Sequence, residues 1–333
     1  EYRVRGLMTM MNVKVVCTTD DPVDALEHHT EIRKDASFPV RVLPGFRPDK
    51  GMAVDKPEVF NEWVNKLEAV TNVEIKDYGA FVEAVRKRHE YFHNMGCRLS
   101  DHGIEEPYAE DYVDSEIIYI FHKVRSGKAL DPAEIRKFKS AMLHQFAVLN
   151  AERNWTMQLH LGALRNVNTR GFKRLGPDTG YDSMGDFPIA RSLARFYDRL
   201  DAEEKLPKSI VYPLNPRDWA MAASMVGNFQ DGKVAGKMQF GAGWWFNDTK
   251  RGMEEQMNLL SEIGLLSQFV GMITDSRSFL SYPRHEYFRR ILCNLIGSDV
   301  ERGELPADID LLGRIVQDIS YNNAVRYFGF NLK

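Results

Sequence analysis

The sequence predicts an α/β fold, a (β/α)8 TIM-type barrel with seven of its eight strands in this chain and extra helices at the C-terminal end. Three observations predict it. Short apolar or β-branched runs alternate with stretches of helical spacing, the signature of βα units. Each run ends in polar or Gly-rich chemistry, as the carboxyl ends of barrel strands do when a site draws residues from nearly all of them. No GxGxxG or Walker-type loop supports the alternative, an open nucleotide-binding sheet, so no nucleotide cofactor is expected.

In chain order the runs are VKVVCTTD ending at Asp20, VRVLPGFRPD ending at Asp49, GCRLSDHG ending at Gly103 and TMQLHLGA ending at Ala163. SIVYPLNP ends at Pro216, KMQFGAGWW at Trp245 and FVGMITDS at Ser276. Closure of a small barrel takes about eight strands. The missing strand is expected to be the first, before Glu1. Helices between the runs show one apolar face, as in Phe60, Trp63, Val64 and Leu67, or Ile189, Leu193, Phe196, Tyr197 and Leu200. Two further helices are expected over 284–295 and 311–328. No linker or composition shift divides the chain, so residues 1–333 are expected to form a single barrel domain.

Composition narrows the partners. The 333 residues, 44% of them hydrophobic, suffice for one large core. A net charge of −3 leaves no basic surplus for a phosphate backbone or an anionic membrane, which argues against nucleic acid and lipid. Cys17, Cys97 and Cys293 are scattered without CxxC spacing, which argues against a disulfide framework and for a reducing cytoplasm. No apolar run approaches the ~18 residues of a membrane span.

The strand ends present Asp20 and Asp21, Arg47 and Asp49, Asp101 and His102, His160 with Arg165, Asn215 with Arg217, and Asp275 with Arg277. In a barrel these converge on one mouth. Several arginines around one cavity suit an anionic ligand, because guanidinium pairs bidentately with carboxylate or phosphate. The carboxylates and imidazoles supply acid/base or metal-binding groups. Asp275, where an apolar run meets TDSRSF, is expected to be partly desolvated, with Arg277 facing the same way two residues on. His160 lies inside an apolar strand. His89 and His93 share i, i+4 spacing, yet HEYFH lacks the HExxH order of a metalloprotease, and a solvated helix face is expected. Trp244 and Trp245 can wall a sugar site or simply pack. The Gly-rich segment GFKRLGPDTGYDSMGDF reads as a loop over the mouth, poised as a lid.

The motifs MNVKVVCTTDDP, FRPDK, GCRLSDHG, QLHLGALRN, LGPDTG, LNPRD, GNFQDG, FGAGWWF and TDSRSFLSYPRHEYFRRILCN resemble the uronate (glucuronate) isomerase family of the amidohydrolase superfamily, across nearly the whole chain. The resemblance implies a (β/α)8 barrel and reversible isomerisation of D-glucuronate to D-fructuronate and of D-galacturonate to D-tagaturonate in hexuronate catabolism. It implies catalytic roles for Asp275, Arg277, His160 and Asp101, and sugar-acid contacts for Arg47, Arg165, Arg277 and Trp244. It also implies a divalent cation, zinc or manganese, with Asp275 among its ligands. The family's first-strand His-x-His metal pair and the Tyr that follows are not in this chain, which argues against metal binding by this chain alone. A small sugar acid is the expected partner, and the choice between monomer and homo-oligomer stays open. Two other readings are a metal-dependent hydrolase of the same superfamily, disfavoured by the lack of a metal-ligand His at the end of SIVYPLNP, and an inactive fragment.

Overall fold

The computed structural model describes residues 2–332. Its elements alternate as the sequence predicts. The strands are β1 (Val15–Cys17), β2 (Arg41–Leu43), β3 (Leu99–Ile104), β4 (Thr156–Leu161), β5 (Ala163–Leu164), β6 (Ser183–Met184), β7 (Lys208–Pro213) and β8 (Met238–Phe240). The helices are α1 (Val4–Met10), α2 (Glu27–Lys34), α3 (Pro57–Thr71), α4 (Tyr78–Asn94), α5 (Asp114–Arg125), α6 (Pro132–Glu152), α7 (Thr169–Leu175), α8 (Ile189–Ala202), α9 (Trp219–Gly227), α10 (Lys250–Ile263), α11 (Pro283–Glu301), α12 (Ile309–Gln317) and α13 (Asn323–Phe328). Their starts are written locally. Asp131 accepts from Glu134 N at 2.9 Å while Glu134 accepts from Asp131 N at 2.8 Å, a reciprocal cap with Pro132 in the first turn of α6.

Parallel pairing joins β1 to β2 and runs through β3, β4, β7 and β8 in that order. Single parallel bridges, Asp20 to Phe46 and Phe46 to Ser100, carry the run from the first pair to the second group. This is an α/β fold whose sequential strands lie side by side. The two-strand period sorts the side chains. On β4, Met157, Leu159 and Leu161 join the large cluster beneath the helices, while Gln158 and His160 face the other way. Leu99 of β3 and Ile210 and Tyr212 of β7 form a smaller cluster with Leu214, Trp244, Tyr327 and Phe328.

Two expectations are corrected. The seventh run carries no strand among the described residues. Gly271 sits at φ +83°, outside extended backbone, where a Cβ would lie 2.4 Å from Ile319 O. The segment is tied by side chains instead: Asn323 Nδ2 donates to Phe269 O at 2.8 Å, and Val270 N to Gln239 Oε1 at 3.2 Å. Conversely, the Gly-rich segment is not all loop: it begins within α7 and includes β6, which pairs antiparallel with β5 ahead of it.

Candidate active site

Asp101 and His160 meet across neighbouring strands. The β3–β4 register sets Gly103 opposite His160 and Asp101 opposite Gln158. His160 Nδ1 lies 2.7 Å from Asp101 Oδ1. A carboxylate only accepts, so Nδ1 carries the proton and donates. That leaves Nε2 as the open lone pair, and it is buried without a hydrogen-bond partner. The ring is clamped, stacked on Tyr212 at 4.6 Å with planes 7° apart and edge-on to Trp244 at 4.5 Å. Burial pushes the Asp101 carboxyl up, but His160 and Arg47 outweigh it and hold it down at about 2.

Arg47 supplies the positive charge. Its Nη1 lies 3.4 Å from Asp101 Oδ2 and its Nε 3.6 Å from Asp49 Oδ2. Burial opposes its charge, but Asp101, Asp49 and Asp275 together raise its pKa further. Beneath it, a Cβ on Gly103 would fall 2.2 Å from Arg47 Nη2, so the glycine makes room for the guanidinium. Asp275 joins from the seventh run, where its Oδ2 accepts from Trp244 Nε1. It is exposed, not partly desolvated as expected, and the run that leads to it forms no strand to bury it. Its φ of +35° is uncommon for a residue with a Cβ.

The other arginines sit on loops. Arg165 pairs with Asp182 at 2.8 Å and stands over the Trp245 ring at 4.9 Å. Arg277 does not turn toward Asp275. It is 79% exposed and lies 3.2 Å from Asp178, a residue of the Gly-rich loop that is also 3.8 Å from Arg165. Asn215 donates to Gly185 O and caps Arg217 N, and Arg217 reaches Phe187 O, so this pair braces the loop rather than lining the centre. Asp20 accepts from Thr18 and Gly45 N, and Asp21 from Trp63 Nε1, both structural. His89 is not on a solvated face: it is 1% exposed, packed against Trp155 with ring centroids 3.7 Å apart, and burial pushes it down to about 3. Sequence reasoning missed the stacking role of Tyr212 and the two loop carboxylates, Asp178 and Asp182. The first had a signal in the odd–even pattern of SIVYP, and Asp178 one in the motif LGPDTG, while Asp182 had none.

Known proteins decide the family. The sequence profile of glucuronate isomerase (UxaC) matches residues 1–328. The uronate isomerase of Bacteroides thetaiotaomicron is 57% identical over 331 residues, 99% of this chain and 70% of the relative. This chain belongs to the glucuronate isomerase family. The uronate isomerase of Cellvibrio japonicus is 53% identical over 330 residues, again covering 70% of the relative. The crystal structure of a uronate isomerase from Thermotoga maritima superposes with a TM-score of 0.90 at 37% identity, over 97% of this chain and 69% of that one. A glucuronate isomerase from Caulobacter crescentus shares the fold at a TM-score of 0.89 and 24% identity, over 100% of this chain and 67% of that one. Membership in the glucuronate isomerase family removes the support for a hydrolase.

Metal ligation is a separate matter. Among the described residues no group of three or more His, Cys, Asp or Glu side chains is placed to hold a metal ion. Asp275 offers one carboxylate, already bonded to Trp244, and His160 one open nitrogen. By themselves these do not make the donor set of a zinc or manganese site.

Proposed function

We propose that the chain interconverts D-glucuronate and D-fructuronate, and D-galacturonate and D-tagaturonate, by moving a proton between C2 and C1 through a cis-enediol. The observation that carries the reading is the Asp101–His160 pair at 2.7 Å, with His160 Nε2 unpartnered and Arg47 3.4 Å from the same carboxylate. A base must take a proton next to a carbonyl, and positive groups must hold the oxyanion that develops. His160, held in one tautomer by Asp101, moves the proton. Arg47 stabilises the enediolate oxygen, Arg165 and Arg277 take the sugar's carboxylate and hydroxyls, and Trp244 walls the pocket. Asp275 orients Trp244 and balances Arg47. Asp275 would be one ligand of a zinc or manganese ion whose other ligands the described residues do not supply, and calorimetric titration of the chain with either metal tests this.

The sequential parallel strands support reading the sheet as a (β/α)8 barrel and the chain as one domain. Free thiols at Cys17, Cys97 and Cys293, and no helix long and apolar enough to cross a membrane among the described residues, support a cytoplasmic setting, with homo-oligomerisation open to measurement by sedimentation. The test of function is keto-acid formation from D-glucuronate, with zinc or manganese added. Wild-type chain should produce it, and Asp275→Asn should abolish turnover with the circular dichroism spectrum unchanged. Wild-type rates in that variant would sink its assignment.

A further inference from the structure

Behind Arg47, on the helix side of the sheet, lies a buried hydrogen-bonded chain that the proposed chemistry does not use. His89 Nε2 is 3.1 Å from Asn150 Oδ1, Asn150 Nδ2 is 2.7 Å from Ser100 Oγ, and Ser100 Oγ is 2.9 Å from His102 Nε2. His102 Nδ1 is 3.0 Å from Asp49 Oδ1. His89, Asn150, Ser100 and His102 are each at most 1% exposed. Their proton positions follow from elimination. Asp49 only accepts, so His102 Nδ1 donates. Ser100 accepts from Asn150, and the one acceptor left in reach of its own proton is His102 Nε2. Asn150 Oδ1 accepts from His89. All four bonds run in one sense and end on Asp49.

A buried polar chain of this kind gives no more stability than well-packed apolar side chains would, but it fixes orientation. What it orients is visible. The second Asp49 oxygen accepts from Gly103 N at 2.8 Å and lies 3.6 Å from Arg47 Nε. Gly103 is also the residue whose missing Cβ leaves space for Arg47 Nη2. We infer that Asp49 and His102 are positioning residues: the buried chain locks the Asp49 carboxylate, and Asp49 with Gly103 sets the Arg47 guanidinium where the sugar acid binds. The geometric half stands alone; the sugar-acid half rests on the isomerase reading.

Nitrogen-15 spectroscopy of the ligand-free chain, paired with steady-state kinetics on D-glucuronate, separates the two. In wild type, His102 should appear as the Nδ1–H tautomer and the Arg47 Nε–H should exchange slowly with solvent. Asp49→Asn and His102→Phe should each speed that exchange about tenfold or more, because the first removes the charge 3.6 Å from Arg47 Nε and the second the hydrogen bond that holds it in place. kcat should fall about tenfold while KM stays within about threefold, as for a weakened interaction with charge that develops only in the transition state. His102→Asn, whose amide can still donate to Asp49, should restore most of the kcat, which a merely structural role would not do. Should His102→Phe fail to fold, Ser100→Ala gives a smaller change in the same direction. Unchanged Arg47 exchange in folded Asp49→Asn, or an Nε2–H tautomer at His102, overturns the inference. Wild-type chain without turnover counts against the isomerase reading, while the spectra still decide the positioning.

Discussion

The two halves of the candidate site are built differently. Asp101 and His160 stand on strands and Arg47 shortly after one, with side chains at most 35% exposed and joined by contacts of 2.7 and 3.4 Å. Arg165, Arg277 and Asp178 stand on loops, 39%, 79% and 47% exposed. Exposed ion pairs are worth only ~0.2–1 kcal/mol, so the loop half can rearrange around a ligand at little cost. The strand half is pre-set, which suits groups that must meet developing charge without reorganising. The difference assigns chemistry to the strands and capture to the loops.

The sharpest way to break this contrast is His160→Gln or Asp101→Asn. Either should lower kcat by about 10²–10⁴-fold, the range for losing a positioned acid–base group, with little change in KM. Next comes Gly103→Ala: its Cβ would collide with Arg47 Nη2 and displace the guanidinium, lowering kcat and kcat/KM several-fold. Asp178→Asn should act the other way. It frees Arg277 from its internal carboxylate, while Arg165 keeps Asp182, so KM should fall about two- to fivefold at unchanged kcat, an effect of the size of one exposed pair. The smallest effect is on acid stability. Asp101 has a depressed pKa in the folded chain, so its contribution is complete above the unfolded carboxyl range, near 4, and is lost as pH falls through about 2. Acid unfolding followed by circular dichroism should therefore flatten between those values in Asp101→Asn.

Much of the scaffold was legible because its signals are local. Phe60, Trp63, Val64 and Leu67, and Ile189, Leu193, Phe196, Tyr197 and Leu200, are all buried as their spacing requires. Asp101, His160 and Arg47 were readable as strand-end chemistry, and the strand register brings them together. The misreadings share one cause, contacts between residues far apart in sequence. His89 looked solvated beside Arg86, Lys87 and Arg88, but its surroundings are Trp155 and Asn150, some sixty positions away. The run FVGMITDS has strand composition, yet Gly271 must turn to fit against Ile319. Arg277 has a carboxylate two residues before it and instead finds Asp178, about a hundred positions upstream.

Turnover of C2-deuterated D-glucuronate by wild-type chain and by His160→Gln tests the division most directly. The account predicts that wild type makes the keto acid with a primary isotope effect and that folded His160→Gln, still binding the sugar acid with near wild-type affinity, makes almost none. Undiminished turnover in that variant would contradict it.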